Sequence, residues 1–88
     1  MARYELRFKA SVAKDLRGIP RVDVRRILTR IEALREDPRA PGCEKLASSG
    51  ELYRVRQGVY RIVYAIDDQC VVVEVIRVGH RGEVYRGR

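Results

Sequence analysis

Two strand-like segments separated by one short turn most constrain how this chain can fold. Residues 52–56 and 59–64 are rich in β-branched and aromatic side chains, the composition typical of strands. The intervening Gln57 and Gly58 suit a two-residue hairpin turn, because glycine accepts the positive φ that such turns require. The sequence therefore predicts an antiparallel hairpin as the centre of a sheet.

Arginines recur inside this hairpin. A turn at Gln57 and Gly58 would place Arg56 opposite Val59 and Arg54 opposite Arg61. Because side chains alternate along a strand, Arg54, Arg56 and Arg61 should project from one face. Like charges gathered in this way repel one another, so the cluster favours a face that binds a polyanion.

A less specific interpretation of the same arginines is a solvated face on which Arg61 pairs with Glu74 of a neighbouring strand. Exposed ion pairs of this kind contribute only about 0–1 kcal/mol. Such a pair would not explain why the positive charges cluster.

Composition narrows the class of protein. The 88 residues suit a single domain spanning 1–88, and 45% apolar residues suffice for a compact core. A net charge of +7 favours nucleic acid or another acidic partner. Cys43, Cys70 and His80 lack the spacing of a zinc site, so we expect free thiols, no metal and no cofactor. Without an apolar span or signal-peptide core, we expect a cytoplasmic protein that makes no membrane contact.

The element order predicts an α+β fold of type β-α-α-β-β-β, with two N-terminal helices packed on one face of a small, largely antiparallel sheet. Ser11 is placed to cap the first helix, and Pro20 suits the first turn of the second, which should stop near Glu36 and Asp37 because Pro38 follows. The predicted strands cover residues 4–8, 51–56, 59–66 and 70–78, and residues 39–50 are a predicted loop.

The sheet should have one apolar face and one mixed face. The apolar stripe of the second helix comprises Val24, Ile27, Leu28, Ile31 and Leu34. It should pack on a sheet face made of Tyr53, Val55, Tyr60, Ile62, Tyr64, Ile66, Val71, Val73 and Val75. The mixed face should carry Arg54, Arg56, Arg61 and Glu74 among Leu52, Val59, Val63, Val72, Ile76 and Val78.

A second group of polar residues follows the last predicted strand. Gly79 would end the strand and bring His80, Arg81 and Tyr85 near an edge of the sheet. Basic side chains beside an aromatic that can stack on a base are typical of single-stranded RNA recognition. Taken singly, His80 is an ordinary turn residue, and Tyr85 would pin the C-terminus to the core.

Four motifs together resemble the RelE family of toxins from type II toxin–antitoxin modules, within the RelE/ParE superfamily. They are Tyr53-Arg54-Val55-Arg56, Tyr60-Arg61-Ile62-Val63-Tyr64, Val78-Gly79-His80-Arg81 and Glu83-Val84-Tyr85. The resemblance implies a RelE-like fold and a cognate antitoxin. It also implies a metal-independent endoribonuclease that cuts mRNA in the ribosomal A site, by attack of a 2′-hydroxyl on the adjacent phosphate.

The resemblance also implies a role for each matched residue. Arg54 and Arg56 would bind the phosphate and help to activate the 2′-hydroxyl, and Arg61 would brace the phosphorane. Arg81 would stabilise or protonate the leaving oxygen, and Tyr85 would stack on a nucleotide.

This chain departs from the family at the two basic strand positions, where well-known relatives carry lysine. Arginine does not give up its proton, so Arg54 and Arg56 are expected to act electrostatically. His80 is then a candidate for proton transfer, because imidazole titrates near neutral pH. Two alternative functions remain open: a ParE-like inhibitor of DNA gyrase that does not cut RNA, and a catalytically inactive antitoxin-binding module.

Overall fold

The chain forms two helices on one face of a five-stranded sheet in the computed structural model, which describes residues 3–46 and 51–80. The elements are β1 (Glu5–Phe8), α1 (Ser11–Arg17), α2 (Arg21–Ala33), β2 (Cys43–Lys45), β3 (Leu52–Gln57), β4 (Tyr60–Asp67) and β5 (Val72–His80). The strand order is β1-β5-β4-β3-β2, with β1 parallel to β5 and the other pairs antiparallel. The predicted fold class is confirmed.

The core lies between the helices and the sheet. Ile27 and Ile31 of α2 are fully buried and pack with Val12 of α1 against the apolar sheet face. That face contributes Tyr53, Val55, Ile62, Tyr64, Ile66, Val73, Val75 and Val78. Tyr64 is fully buried, and its hydroxyl donates a hydrogen bond of 2.7 Å to the carbonyl of Pro38. This bond ties the segment after α2 to the centre of the sheet.

Both helices depart from their predicted ends. Ser11 is the first residue of α1 and not its cap; Ala10 holds the N-cap position without a side-chain bond. The second helix ends at Ala33, before the predicted stop, because the chain tightens into a turn ahead of Pro38. Leu28, predicted to face the core, is 41% exposed because the buried stripe of α2 runs through Ile27 and Ile31. Within the described residues, neither helix is long and apolar enough to cross a membrane.

The predicted loop at 39–50 contains a short strand. Residues Cys43–Lys45 pair antiparallel with β3 and form one edge of the sheet. Three residues give no periodic signal, and they follow Pro41 and Gly42, so the sequence pattern alone does not reveal β2. The new strand matters for the site because it brings Glu44 opposite Arg54.

The central hairpin turns one residue later than predicted. Gly58 and Val59 form the turn, with Gly58 at φ +62°, as the first position of a type II′ turn requires. Arg56 consequently lies opposite Arg61, whereas the sequence predicted Val59 there. Because the register moves by two residues, every side chain keeps its predicted face.

The second hairpin differs more. Its loop has four residues, 68–71, so β5 begins at Val72 and not at residue 70. Val71 lies in this loop with φ +57°, a conformation uncommon for a β-branched residue, and is therefore not part of the apolar face. The loop is held by Asp68, which accepts hydrogen bonds from Tyr4 and Arg39. These bonds lower the pKa of the Asp68 carboxyl, the Arg39 contact being the larger cause.

A β-bulge then changes the face of the last part of β5. Tyr64 pairs with Val75 and Val63 with Arg77, so Ile76 is an extra residue without a partner on β4. The extra residue reverses the alternation beyond it. Val78, predicted on the mixed face, is 3% exposed in the core, and Arg77 moves to the opposite side.

Candidate functional site

The sheet surface opposite the helices carries four arginines, which we call the arginine face: Arg54, Arg56, Arg61 and Arg77. Arg56 and Arg61 are direct partners on β3 and β4. In the next row, Arg54 and Arg77 lie on either side of Val63. The prediction that Arg54, Arg56 and Arg61 share a face is confirmed, and Arg77 joins them only because of the bulge.

The spacing of the β-strands sets how far apart these four arginines lie on the sheet surface. Neighbouring strands lie about 4.8 Å apart, so the Cα atoms of Arg54 and Arg77 are about 10 Å apart across Val63. Arg56 and Arg77 are exposed, whereas Arg54 and Arg61 are partly buried. Gly79, opposite Arg61 on β5, adds no side chain to that row. The arginine face is therefore a wide, positively charged surface with access from solvent.

Glu44 on β2 marks the edge of this surface. The Arg54 Nε donates a hydrogen bond of 2.8 Å to Glu44 Oε1, and the Arg54 Nη2 contacts the same oxygen. The pKa of the Glu44 carboxyl is lowered, chiefly by this bond and by the charge of Arg54, and further by Arg56 and Arg61. Glu44 therefore lies near the positive charges of three of the four arginines, Arg54, Arg56 and Arg61.

Because the Glu44 carboxylate contacts Arg54, replacing Glu44 by glutamine should strengthen the binding of a polyanion to this surface about two- to fivefold, the range that an exposed ion pair can contribute. The carboxylate would compete with an incoming anion for Arg54, and the amide would remove that competition while keeping the size of the side chain. The affinity for a single-stranded RNA oligonucleotide, measured by fluorescence anisotropy at low and high salt, checks this. Weaker binding by Glu44→Gln would instead mean that Glu44 holds Arg54 in its binding geometry.

The positive surface continues around the β2 edge toward α2. A depression of about 270 Å³ joins the two elements. It is lined by Arg30, Gly42, Glu44, Arg54, Val55 and Arg56. Gly42 has φ +97°, and a Cβ there would lie 3.2 Å from an Arg30 guanidinium nitrogen, so glycine permits the close approach of Arg30. Arg30 thereby extends the charge of the arginine face onto the helix layer.

The alternative pairing of Arg61 with Glu74 is wrong. Glu74 lies opposite Ala65, four residues along β4 from Arg61 and about 13 Å away along the strand. The cross-strand neighbours of Arg61 are Arg56 and Gly79. The charges on this face are therefore not organised as that simple surface pair.

His80 lies on the other side of the sheet. It is the partner of Tyr60 at the end of β5, with the two rings 5.9 Å apart and nearly perpendicular. Tyr60 packs against the core, so His80 faces the helix layer near Asp15. The structure does not bring His80 together with the arginines. The other two predicted site residues, Arg81 and Tyr85, lie outside the described residues.

The described residues hold no group of three or more histidine, cysteine, aspartate or glutamate side chains arranged to bind a metal. Within those same ranges, Cys43 is a partly buried free thiol and Cys70 an exposed one. The guanidinium groups of the arginine face can bind phosphate groups and stabilise negative charge.

Comparisons with known proteins agree on one group of toxins. The family described as "ParE toxin of type II toxin-antitoxin system, parDE" matches residues 6–85. Toxin RelG of Mycobacterium tuberculosis is 30% identical over 84 residues, covering 94% of this chain and 97% of that protein. Toxin RelE of the same organism is 31% identical over 84 residues, covering 94% and 87%.

Solved structures give the same result for the fold. The RelE–RelB complex from Pyrococcus horikoshii superposes with a TM-score of 0.80 at 28% identity, covering 91% of this chain and 97% of that one. The isolated Escherichia coli RelE toxin superposes with a TM-score of 0.77 at 31% identity, covering 93% of this chain and 90% of that one. With the family match spanning most of its length, this chain belongs to the RelE/ParE superfamily of toxins from type II toxin–antitoxin systems.

Proposed function

We propose that this toxin is a ribosome-dependent endoribonuclease that cuts mRNA in the A site and so blocks translation. The observation that carries the proposal is the arginine face, where Arg54, Arg56 and Arg61 converge on an exposed sheet surface. A polyanionic substrate offsets their mutual repulsion.

The reaction is transesterification within the RNA. The 2′-oxygen loses its proton and attacks the adjacent phosphorus, the bond from phosphorus to the 5′-oxygen breaks, and that oxygen takes up a proton. The products are a 2′,3′-cyclic phosphate and a free 5′-hydroxyl. The protein must stabilise a phosphorane that carries more negative charge than the substrate.

The proposed roles follow the position of each residue. Arg54 and Arg56, neighbours on one face of β3, would bind the scissile phosphate and lower the cost of forming the 2′-alkoxide. Arg61, opposite Arg56, would brace the phosphorane with its planar fork. Arg81 would stabilise the leaving oxygen, and Tyr85 would stack on a nucleotide; these two assignments rest on the family motif.

Proton transfer by His80 is the least supported of these roles, because His80 faces the helix layer. We expect His80→Ala to retain cleavage within about threefold of wild type, whereas loss of a general acid–base group costs about 10²- to 10⁴-fold. Single-turnover cleavage of ribosome-bound mRNA between pH 5.5 and 8.5 checks this. A large loss of cleavage rate, together with a changed dependence of the rate on pH, would establish His80 as a catalytic residue.

We further propose a cognate antitoxin as the physiological partner. The support is that structural relatives, including the complexes from Pyrococcus horikoshii and Mycobacterium tuberculosis, are toxin–antitoxin assemblies. Among the described strands, β1 and β2 form the two edges of the sheet, and an extended segment can add to such an edge. An acidic segment crossing the β2 edge would also neutralise the arginine face.

The proposal is tested by inducing the toxin without antitoxin and mapping new mRNA 5′ ends on translating ribosomes. The control is a double variant, Arg61→Ala with Arg81→Ala, expressed to the same level. Cuts within A-site codons in the wild type, absent in the variant, are the expected result. Naked RNA should be cut slowly, because the arginines that the described residues place on this face do not give up a proton and so do not act as a general base.

The same experiment decides between the alternatives. The matching family carries the ParE name, which favours the gyrase inhibitor as the second candidate. Growth arrest with induction of the DNA-damage response, and no new 5′ ends, would establish that function. The absence of any growth arrest would leave an inactive module that only binds its antitoxin.

A further inference from the structure

The bulge in β5 decides which residues reach the arginine face. In a regular strand, Arg77 would alternate with Ile76 and lie on the helix side with Val73 and Val75. The extra residue Ile76 instead places Arg77 opposite Val63, on the same side as Arg61. An arginine that a regular ladder would direct at the core is thereby added to the charged surface.

The shifted register is fixed from the helix layer. Asp15 of α1 accepts a hydrogen bond of 3.0 Å from the backbone N–H of Val78, the residue directly after Arg77. Val78 itself is buried at 3% exposure and packs in the core. A slip of β5 by one residue would break this bond and turn Val78 out of the core. Moving Arg77 to the other face of the sheet would therefore be destabilising.

A bulge interrupts the ladder and leaves a residue without a strand partner, and it is a common device for re-aiming a side chain beside a functional site. Here it increases the like charge on one face from three arginines to four. The fourth guanidinium lies on the same surface as Arg54, Arg56 and Arg61, on an exposed side chain. The arrangement is favourable if the added guanidinium contacts a phosphate of the bound strand.

We propose that Arg77 is a further RNA-binding residue of this site, contacting a phosphate next to the one that is cleaved. Its exposed position across Val63 from Arg54 gives the face a width of about 10 Å between Cα atoms, enough for the two long side chains to hold neighbouring phosphates. The proposal rests on the proposed function, since it takes ribosome-bound mRNA as the ligand.

The test compares Arg77→Ala and Arg77→Lys with a charge-matched control, Arg17→Ala, whose exposed side chain lies at the end of α1 in the helix layer. Binding is measured to ribosomes carrying an mRNA with a 2′-deoxy nucleotide at the scissile position, which cannot be cut. Affinity is recorded over a series of salt concentrations. Cleavage of the matching all-RNA message is measured in parallel, and thermal melts verify that each variant folds.

We expect Arg77→Ala to weaken binding about tenfold and to lower the slope of log affinity against log salt by about 0.7, the value for one lost phosphate contact with a single strand. Arg77→Lys should recover most of the affinity, because it keeps the charge. Cleavage at saturating ribosomes should fall much less than the affinity. The control Arg17→Ala should change neither the slope nor the cleavage.

An unchanged affinity and slope in a folded Arg77→Ala variant would overturn the proposal, as would an equal effect of Arg17→Ala. The two proposals fail in different ways. Wild type that binds the uncleavable complex but does not cut the all-RNA message would refute the nuclease function, while the binding series still decides the role of Arg77. Wild type that does not bind the programmed ribosome refutes both.

Discussion

Replacing Arg61 by alanine should slow cleavage of ribosome-bound mRNA by about 10²- to 10³-fold, the usual cost of removing one preorganised donor from a site that stabilises developing negative charge. Arg61 is central on the arginine face, opposite Arg56 and next in its row to Gly79. Arg61 is partly buried, and its Nε is shielded from solvent. The measurement is the single-turnover rate at saturating ribosome concentration.

Two comparisons separate charge from geometry. Arg61→Lys keeps the positive charge but loses the planar fork, so its rate should fall between those of wild type and Arg61→Ala. Affinity for uncleavable mRNA on the ribosome should change far less than the rate, because the phosphorane carries more charge than the substrate. A loss confined to affinity, with the rate at saturation unchanged, would reassign Arg61 to ground-state binding.

The sequence predicts the face of each hairpin residue better than the register. Side-chain alternation has a period of two, so a register error of two residues at Gly58 left Arg54, Arg56 and Arg61 on their predicted face. The bulge at Ile76 is different, because one extra residue reverses the alternation. Nothing local in Val75-Ile76-Arg77 signals it; the bulge depends on the fit of Val78 into the core and on Asp15, 63 residues away.

The same limit applies to the site. Glu44 was missed because its strand has only three residues, and its contact with Arg54 depends on pairing across the sheet. The sequence groups His80 with the arginines because it follows the last predicted strand, residues 70–78, yet His80 is the last residue of β5 and its register partner Tyr60 packs against the core. Motif spacing predicts Arg54, Arg56 and Arg61 as candidate site residues, and the structure places these three on one face. The side of the sheet on which Arg77 and His80 lie follows only from the three-dimensional register.

The largest stability effect should come from Tyr64. We expect Tyr64→Ala to lower the free energy of unfolding by about 3–5 kcal/mol, because an aromatic side chain at 0% exposure leaves a cavity that the core only partly fills. The total free energy of unfolding of a small domain is only about 5–15 kcal/mol, so much of the variant should be unfolded at 37 °C. Urea denaturation followed by circular dichroism measures the change.

Tyr64→Phe separates packing from hydrogen bonding. It keeps the ring but removes the hydroxyl that donates a hydrogen bond of 2.7 Å to the carbonyl of Pro38. Because that carbonyl loses its partner, the substitution should lower the free energy of unfolding by about 1–3 kcal/mol. Burial raises the pKa of the Tyr64 phenol, so the group remains a neutral donor across the physiological pH range.

If Tyr64→Phe were as destabilising as Tyr64→Ala, the hydrogen bond to Pro38 and not the packing of the ring would dominate the stability effect at this position. If both variants kept full stability, the packing of the sheet against α2 described above would be wrong. Because Tyr64 lies on the helix side of β4, a folded Tyr64→Phe protein should cleave at the wild-type rate, which distinguishes loss of fold from loss of the arginine face.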